Sequence, residues 1–247
     1  MNAAENITEL NLAYCIVPEL EDNCLSKFSN LQKLDLCHAS IDLGNLNAIL
    51  QSTRELNELD LESNRLDLKK IAWKSINLTS LKKINLNSSA VSSIDLDNLS
   101  QILIETTALE ELKLRCCQCL NGDLLLNKIN LAKLQKLDLY SSNISLDNLI
   151  EILNKTKELK ELDLTDCKCL NDKLSLNRVN FDALERLSLS DDCLSNIEAI
   201  LTKTNKLNVL NLFSIINLDS LTLSNSNLSA LQEVCLAGSY IYSSTLK

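Results

Sequence analysis

The sequence predicts an α/β solenoid, in which short parallel strands stack into one sheet and return segments cover its outer side. Two observations predict this fold. The stretch LQKLDL occurs at residues 31–36 and again at 134–139, and related stretches recur every 23 to 28 residues along nearly the whole chain. A unit of this length cannot bury its apolar side chains alone, so successive units stack and share a core.

Ten units carry the repeated stretch, with apolar residues at its first, fourth and sixth places. They read ITELNL at 7, LQKLDL at 31, LNELDL at 56, LKKINL at 81, LEELKL at 109, LQKLDL at 134, LKELDL at 159, LERLSL at 184, LNVLNL at 207 and LQEVCL at 231. Alternate side chains of a strand point to opposite faces of a sheet. We therefore expect ten strands with an apolar interior and an outward face made of the third, fifth and seventh places.

Return segments of two kinds alternate. After the units at 31, 81, 134 and 184 they read GNLNAILQST, DNLSQILIETT, DNLIEILNKT and SNIEAILTKT, with apolar residues three and four apart. This spacing predicts short helices on the outer side of the sheet. The predicted buried positions include Leu149, Ile152, Leu153, Ile197, Ile200 and Leu201, and the predicted N-caps are Asp97, Asp147 and Ser195.

The other returns, after the units at 56, 109, 159 and 207, include stretches such as LLLNKINLAKL, with leucines two apart. We expect these segments to be extended or turn-like. Residues 109–158 align with 159–206 almost throughout, which indicates duplication of a two-unit cassette. The unit at 81 carries three extra residues near Val91, Ser92 and Ser93, which we expect to bulge from the rim.

The pattern LxxLxLxx followed by Asn or Cys resembles the leucine-rich-repeat family. The resemblance implies one right-handed superhelical solenoid of about ten units over residues 1–247, with a concave parallel sheet and, on the convex side, alternating short helices and extended segments. The alternation is similar to that of the ribonuclease inhibitor. In the family, Asn or Cys at the ninth place satisfies backbone groups inside the turn. Asn64, Cys117 and Cys167 fit this role, whereas Ser142, Asp192 and Ile215 depart from it.

Neither end carries a recognisable capping segment. The first stretch begins at Ile7, and the chain stops at Lys247 within a tenth unit. Solenoids normally need polar caps to cover their terminal units. We therefore expect either a missing flanking domain or a trimmed chain.

The charge balance restricts the class of partner. The net charge is −9 and the pI is about 4.8, whereas nucleic acids and anionic membranes attract clustered Lys and Arg. No Sec-type leader and no apolar run long enough to span a bilayer is visible. We expect a monomer without membrane insertion that binds a neutral or basic protein. Its location is the cytoplasm, or a host cytosol reached by a specialised secretion system.

The sequence offers little for catalysis. His38 is the one histidine, and no pattern around it completes a catalytic triad or a metal site. The three glycines form no phosphate-binding motif. We expect no enzymatic activity and no cofactor.

The ten cysteines are expected to be thiols, because disulfides belong to secreted chains with a leader. Cys116, Cys117 and Cys119 are followed in the duplicated cassette by Cys167 and Cys169. Equivalent residues two units apart lie roughly 10 Å apart, which is too far for one zinc ion. We therefore expect no metal, and interpret these residues as small side chains stacked in the turns.

Two columns of the outward face carry charge. The third-place column alternates in sign, which predicts a ladder of ion pairs that supports the stack: Glu9, Lys33, Glu58, Lys83, Glu111, Lys136, Glu161 and Arg186. The fifth-place column instead places Asp35 beside Asp60 and Asp138 beside Asp163. With Glu62, Asp166 and Asp191, these residues form two acidic stripes flanking Lys113 and Arg115. They either only solubilise the protein or bind a basic surface.

Large side chains are scarce on this face, because aromatic residues make up 3% of the chain. Those at seventh and eighth places are candidate anchors of the kind that dominate interfaces. Together with the acidic stripes, the predicted partner-binding residues are Tyr14, Asp35, Asp60, Glu62, Lys113, Arg115, Asp138, Tyr140, Asp163, Asp166 and Phe213.

The function predicted from these features is protein binding on the concave face. The composition, poor in Gly and Pro and rich in Asn, Lys and Ile, resembles leucine-rich-repeat effectors of intracellular bacterial pathogens, and that resemblance implies a host protein as target. Two alternatives stay open. The repeats select substrates for a larger enzyme such as a ubiquitin ligase, or they inhibit a basic enzyme through an acidic concave face.

Overall fold

Ten parallel strands form one sheet in chain order. The computed structural model describes residues 7–20, 26–63, 66–87, 94–122, 124–167, 179, 181–191, 197, 200–216 and 228–239. The strands are β1 (Glu9–Asn11), β2 (Lys33–Asp35), β3 (Glu58–Asp60), β4 (Lys83–Asn85), β5 (Glu111–Lys113), β6 (Lys136–Asp138), β7 (Glu161–Asp163), β8 (Arg186–Ser190), β9 (Val209–Phe213) and β10 (Glu233–Cys235).

The strands pair without any shift in register, so that each place of one unit faces the same place of the next. Between β2 and β3, for example, Lys33 pairs with Glu58, Leu34 with Leu59 and Asp35 with Asp60. The columns predicted from the sequence are therefore real columns of the sheet.

The leucines of successive units meet in one continuous core. The fourth-place residues from β2 to β9 are at most 2% exposed, and the sixth-place leucines beside them are equally buried. Each fully buried leucine contributes about 1.5–3 kcal/mol through removal of apolar surface from water. The chain thus folds as a leucine-rich-repeat solenoid, as its periodicity predicts.

Helices fill the returns where the sequence predicts them. They are α1 (Leu43–Ser52), α2 (Leu96–Glu105) and α3 (Leu146–Lys155), and residues 197, 200 and 201 are also helical. Buried leucines and isoleucines three and four apart pack each helix on the sheet, including the predicted Leu149, Ile152, Leu153, Ile197, Ile200 and Leu201.

The predicted N-caps are wrong for two of these helices. Asp95 and Ser145 cap α2 and α3, because their backbones are extended and their side chains accept from the N–H groups three residues later. Asp97 and Asp147 lie in the first helical turn instead. Each helix begins one residue earlier than the predicted cap, at Leu96 or Leu146, whose side chains pack against the core. The predicted cap at Ser195 lies outside the described residues.

A buried threonine ends each helical return. Its hydroxyl donates to the helix carbonyl three residues before it, at 2.8–3.4 Å, which satisfies one of the acceptors that a helix leaves unpaired. The four residues are Thr53, Thr106, Thr156 and Thr204. This threonine is the last letter of the recurring triplets QST, IET, NKT and TKT, and the prediction of the helices did not use it.

The other described returns contain short 3₁₀ turns, at Leu68–Lys70, Trp73–Ser75 and Leu126–Lys128, which agrees with the turn-like prediction. Trp73 is buried there, and its indole Nε1 donates to the carbonyl of Leu68 at 3.1 Å. The predicted bulge near Val91 lies outside the described residues.

Candidate functional site

The fifth-place side chains of the sheet end the strands. In six of the described units this Asp or Asn accepts a hydrogen bond, at 2.9–3.1 Å, from the backbone N–H two residues later, a local turn typical of these residue types. The six are Asn11, Asp35, Asp60, Asn85, Asp138 and Asp163. These aspartates therefore shape the backbone in addition to making the surface polar.

β8 and β5, which lack Asp or Asn at the fifth place, end in two different ways. Ser188 occupies it in β8, and that strand continues to Ser190, which pairs with Phe213 of β9. Lys113 occupies it in β5, and the N–H of Arg115 donates to the side chain of Asn87 from the preceding unit at 2.8 Å. β9 is as long as β8, although its fifth place is Asn211, whose side chain donates to Ser188 at 3.1 Å.

The eighth place turns the chain away from the sheet in a left-handed conformation. Its φ angle lies between 51° and 71° in the eight units where this backbone is seen, and its N–H commonly donates to the seventh-place carbonyl of the next unit. Residues other than glycine adopt this region rarely. The residues are Tyr14, His38, Ser63, Cys116, Ser141, Asp166, Ser214 and Gly238. The turn directs the seventh- and eighth-place side chains to the rim of the concave face.

In several described units the ninth-place side chain satisfies the backbone inside the turn, as the resemblance implies, whereas Ala39 and Ile215 have no polar group for this. The thiols of Cys117 and Cys167 donate to the carbonyls of Leu86 and Leu139, at 3.8 and 2.9 Å. Ser142 departs from the Asn or Cys of the family in residue type, yet its hydroxyl donates in the same way to the Leu114 carbonyl. A short hydroxyl reaches this acceptor as well as a thiol does. Asn64 and Asp192 lie outside the described residues.

The described cysteines are free thiols. Burial raises the pKa of the Cys117 thiol strongly, and burial is also the main cause that raises the pKa of Cys119. A raised pKa keeps these thiols protonated, so they act as packing and hydrogen-bonding groups.

The third-place ladder forms, although in pairs more than as a continuous chain. Lys33 pairs with Glu9 at 3.2 Å, Lys83 with Glu58 at 2.9 Å, and Glu161 with both Lys136 and Arg186, at 2.9 and 3.9 Å. Glu111 pairs with Lys113 of its own strand at 3.1 Å. These side chains are well exposed, so each pair contributes about 1 kcal/mol at most.

Asp35, Asp60 and Glu62 form the first acidic stripe, which we name the acidic patch. Asn11 donates to Asp35 at 3.0 Å, and Asn85 donates to both Asp60 and Glu62 at 2.9 Å. Within the described chain, no lysine or arginine nitrogen lies within 4.0 Å of these three carboxylates.

Burial is the largest cause that raises the pKa of Asp60, and the charges of Asp35 and Glu62 raise it further. Hydrogen bonds from the Glu62 N–H and from Asn85 oppose this shift by stabilising the carboxylate. The acidic patch is therefore held in place by neutral donors and, among the described residues, makes no ion pair within 4.0 Å, although Arg115 interacts electrostatically with Glu62 from a greater distance.

The second acidic stripe is different, because it contains its own cation. Arg115 Nε lies 2.5 Å from the Asp138 carboxylate, and the guanidinium lies 5.5 Å from the centre of the Tyr140 ring. The charge of Asp166 is the main cause that raises the pKa of the Tyr140 phenol. Burial raises the pKa of Asp163, which lies beside Asp138 in the sheet; hydrogen bonds from Thr165 are the main cause that opposes this, and the charge of Arg115 lowers the pKa less. We name these five residues the Arg115 cluster.

The predicted anchors do not lie together. Tyr14 is 76% exposed at the N-terminal rim and stacks on His38, with ring centres 5.0 Å apart. Tyr140 lies in the Arg115 cluster and is 36% exposed, while Phe213 ends β9, near the C-terminal end of the sheet. Ile16, next to Tyr14, is 85% exposed. The sequence prediction missed it, because its place in the return segment has no fixed orientation in the repeat pattern.

Two shallow grooves of about 390 Å³ each lie along the concave face. The first is lined mainly by Lys33, Asp35, Glu58, Asp60, Lys83 and Asn85. The second is lined mainly by Lys113, Arg115, Lys136, Asp138, Asp163 and Arg186. The acidic patch and the Arg115 cluster thus belong to separate grooves, and Glu62, Tyr140 and Asp166 lie outside their linings.

One group of side chains has the ligand types of a metal site. The Cys37 thiol and one carboxylate oxygen each of Asp60 and Glu62 lie within 4.8 Å of one another. Burial, followed by the charges of Asp60, Glu62 and Asp35, raises the pKa of the Cys37 thiol. A metal bound here would have to displace the proton of this thiol.

Comparisons with known proteins bear on the repeats. Residues 2–107 match the family described as FBD-associated F-box protein At5g56370, LRR repeats. The search of curated proteins found no match. Among solved structures, the "Crystal structure of TLR13-ssRNA13 complex" superposes with a TM-score of 0.46 and 19% sequence identity. The superposition covers 96% of this chain and 38% of that chain, so the present chain spans well under half the length of that protein.

In the described part of the chain, no helix has both the length and the apolar character needed to cross a membrane.

Proposed function

We propose that this chain is a protein-binding module that holds its partner on the concave face of the sheet β1–β10. The observation that supports the proposal is the acidic patch, where Asp35 and Asp60 face each other in register without a described cation beside them. Like charges side by side destabilise a sheet. A partner that supplies the missing positive charge gives this arrangement a use.

We propose that the module has no catalytic activity of its own. The ring of His38 stacks on Tyr14 at the exposed rim, which suits a contact surface more than a general base. The charged side chains of the described concave face are largely committed to ion pairs or to strand-end turns. Binding, rather than bond breaking, is the task that such a surface supports.

A protein is a better partner than a nucleic acid for this surface. The net charge is −9, and nucleic-acid affinity depends on clustered cations that neutralise phosphates. We expect single-stranded RNA and DNA to show no saturable binding at physiological salt in a fluorescence-anisotropy titration. Tight binding of RNA would contradict the proposal that the partner is a protein.

Partner capture tests the concave face. The wild-type protein and Arg115→Glu and Tyr140→Ala variants are used to recover partners from lysate, and the recovered proteins are quantified by mass spectrometry. Lys128→Glu is the matched control for Arg115→Glu, because it makes the same charge change at an exposed position of a convex 3₁₀ turn. We expect the two concave variants to lose a partner that the control retains. Equal recovery by all four proteins would contradict the proposal.

For the biological setting, we propose an effector that acts on a host protein. The support is compositional: the chain has only 3 Gly and 1 Pro and is rich in Asn, Lys and Ile, and it resembles effectors of that type. Capture from host-cell lysate and from lysate of the source organism separates the settings. Recovery of the concave-face partner only from the organism's own lysate would contradict the effector proposal.

A second candidate is selection of substrates for a larger enzyme such as a ubiquitin ligase. It is favoured by the match of residues 2–107 to the repeats of an F-box protein. Co-purification of ligase components with the full-length gene product, and modification of the captured partner, would support this candidate. Inhibition of a basic enzyme is the third, and its test is a loss of that enzyme's activity that is reversed by salt.

A further inference from the structure

We propose that a groove outside the concave face binds an acidic peptide segment of a partner protein, and that Lys157 and Lys206 hold the carboxylates of this segment. The groove has a volume of about 520 Å³ and is lined mainly by Thr156, Lys157, Leu159, Asp182, Ala183 and Lys206. We name it the edge groove. None of its lining residues also lines either concave groove, so this inference goes beyond the proposed function.

The edge groove lies where three return segments meet the sheet. Lys157 follows α3 and precedes β7, Ala183 precedes β8, and Lys206 precedes β9. Neighbouring strands of a sheet are about 4.8 Å apart, so Lys157 and Lys206 belong to units about 10 Å apart, with Ala183 on the unit between them. The groove is therefore a gap whose two sides each carry a lysine.

A small residue opens the edge groove. The position directly before the first place of the repeat is Glu158, Ala183 and Lys206 in three successive units, and the methyl group of Ala183 leaves space between its neighbours. Leu159 is 6% exposed, whereas the first-place leucines of the other units from 31 to 207 are at most 1% exposed. The groove thus uncovers part of the leucine core, which gives it an apolar floor.

The charge of the edge groove is positive. Lys157 and Lys206 are exposed, and within the described chain no carboxylate oxygen lies within 4.0 Å of either ammonium group. Asp182 is the one carboxylate in the lining, and it accepts from the side-chain amide of Asn205 at 3.1 Å. Two cations against one anion give the groove a positive balance, in a protein whose net charge is −9. The groove is therefore complementary to an anionic ligand.

An acidic peptide that also contains an aliphatic side chain matches both features of the edge groove. Alternate side chains of an extended peptide point to opposite sides. One leucine can therefore enter the groove over Leu159 and Ala183, while an acidic side chain before and after it turns back towards the lysines at the rim. Burial of the leucine favours binding. Each exposed ion pair adds little affinity but selects the sign of the ligand's charge.

The test is an NMR titration of the whole chain at low salt with the capped pentapeptide GELEG, and with GQLQG as the uncharged control peptide. The backbone amides of Lys157, Ala183 and Lys206 report on the edge groove. The amides of Glu62 and Tyr140, at the strand ends of the sheet, report on the concave face. We expect GELEG to shift the first three signals in a saturable manner and to leave the other two unchanged. GQLQG should bind at least about threefold more weakly.

Charge variants of the edge groove should change the affinity in opposite directions. Lys157→Gln with Lys206→Gln should weaken binding of GELEG about threefold to tenfold. Lys69→Gln with Lys74→Gln is the matched control, because it makes the same charge change at exposed positions of 3₁₀ turns, and it should weaken binding less than about 1.5-fold. Asp182→Asn should strengthen binding about twofold, because it removes the carboxylate that repels the peptide.

Ala183→Leu tests the shape of the groove without changing its charge. The larger side chain should fill the space over Leu159 and remove the saturable shifts of the Lys157 and Lys206 amides. Lys133 occupies the position that corresponds to Ala183 two units earlier, and it is exposed, so a long side chain is compatible with this turn. Circular dichroism checks that each variant is folded.

Four results would overturn the inference. The first is an equal loss of affinity in the two double lysine variants, which would indicate nonspecific attraction. The second is unchanged binding by Ala183→Leu. The third is a shift of Glu62 and Tyr140 by GELEG, or of none of the five amides. The fourth is a response of the groove amides to sodium phosphate but not to GELEG, which would assign the groove to phosphate. The proposed function is decided separately by partner capture with the Arg115 and Tyr140 variants, since neither residue lines the edge groove.

Discussion

Asp60 has two effects of opposite sign on the free energy of folding. Its side chain holds the turn after β3, which favours folding, and its charge lies beside Asp35 and Glu62, which disfavours it. Asn85, one strand away, makes the same turn without a charge. The chain therefore contains its own example of a neutral residue that does the structural work of Asp60.

We predict that Asp60→Asn raises the free energy of unfolding at pH 7 by about 0.5 kcal/mol or less, since solvent screens a half-buried charge. A raised pKa means that the folded state holds the proton more tightly than the unfolded state, so the penalty from Asp60 appears as pH rises through its folded pKa, above the ordinary value of 3.8. The difference between variant and wild type should vanish at lower pH. Urea denaturation across pH 3–7 measures it.

Asp138→Asn is the matched control for this prediction. The substitution is chemically identical, but it removes the ion pair with Arg115. We expect it to lower the free energy of unfolding by about 1 kcal/mol. If both substitutions changed the free energy of unfolding in the same direction, the neighbouring charges would not determine the effect of removing an aspartate charge.

At the scale of one element, helix starts and turn interiors show which side chains satisfy the backbone. Asp95 and Asp97 lie two residues apart, yet only Asp95 caps α2. Hydrophobic spacing locates a helix but not its first residue, because an apolar residue such as Leu96 can pack on the core from the first turn. This is why the sequence predicted the helices and missed their caps.

We predict that Asp95→Ala lowers the free energy of unfolding by about 1 kcal/mol, the typical cost of a lost N-cap. Asp97→Ala should cost only about 0.3 kcal/mol, because it loses no capping hydrogen bond and only a favourable charge near the helix N-terminus. Thermal unfolding of the two variants under the same conditions compares them. A larger loss for Asp97→Ala would indicate that Asp97 is the N-cap of α2, as the sequence predicted.

The buried hydroxyl of Ser142 gives a second prediction at this scale. Ser142→Ala leaves the carbonyl of Leu114 without its donor inside the turn and should cost about 1 kcal/mol. Ser142→Cys should be nearly neutral, because Cys167 makes the equivalent bond in the next unit. Denaturation midpoints distinguish the two. If Ser142→Cys were destabilising and Ser142→Ala neutral, the ninth-place side chain would not stabilise the turn through a hydrogen bond to the backbone.

At the scale of the whole molecule, each unit contacts mainly its neighbours, so stability is close to a sum over adjacent pairs. We predict that Leu137→Ala, in the middle of the leucine seam, costs about 2–5 kcal/mol through the cavity it leaves. Hydrogen exchange should show the loss most strongly in β5, β6 and β7. Uniform loss of protection from β1 to β10 would mean that the array unfolds as one cooperative unit.

The fold could be predicted from the sequence because ten copies of one pattern each predict a strand with the same buried and exposed places. The pairing of Asp35 with Asp60 and of Asp138 with Asp163 could also be predicted, since the register of the strands does not shift. The pairing of Arg115 with Asp138 could not be predicted. A long side chain can reach several carboxylates, and the repeat pattern does not distinguish among them. The longer β8 and β9 were also missed: they pair over five residues, to Ser190 and Phe213, although the repeated stretch has the same length as in the other units.

The charges of the third-place column alternate in sign, so the units that carry them are of two alternating types. From β1 to β8, glutamate alternates with lysine or arginine in step with the two kinds of return segment, so neighbouring units in this part of the array are complements rather than copies. Val209 ends the alternation in β9. Removing or inserting a single unit would bring Lys33 beside Lys83, or two glutamates together, and would place two returns of the same kind side by side. Changes in length therefore preserve both patterns only when they come in pairs of units.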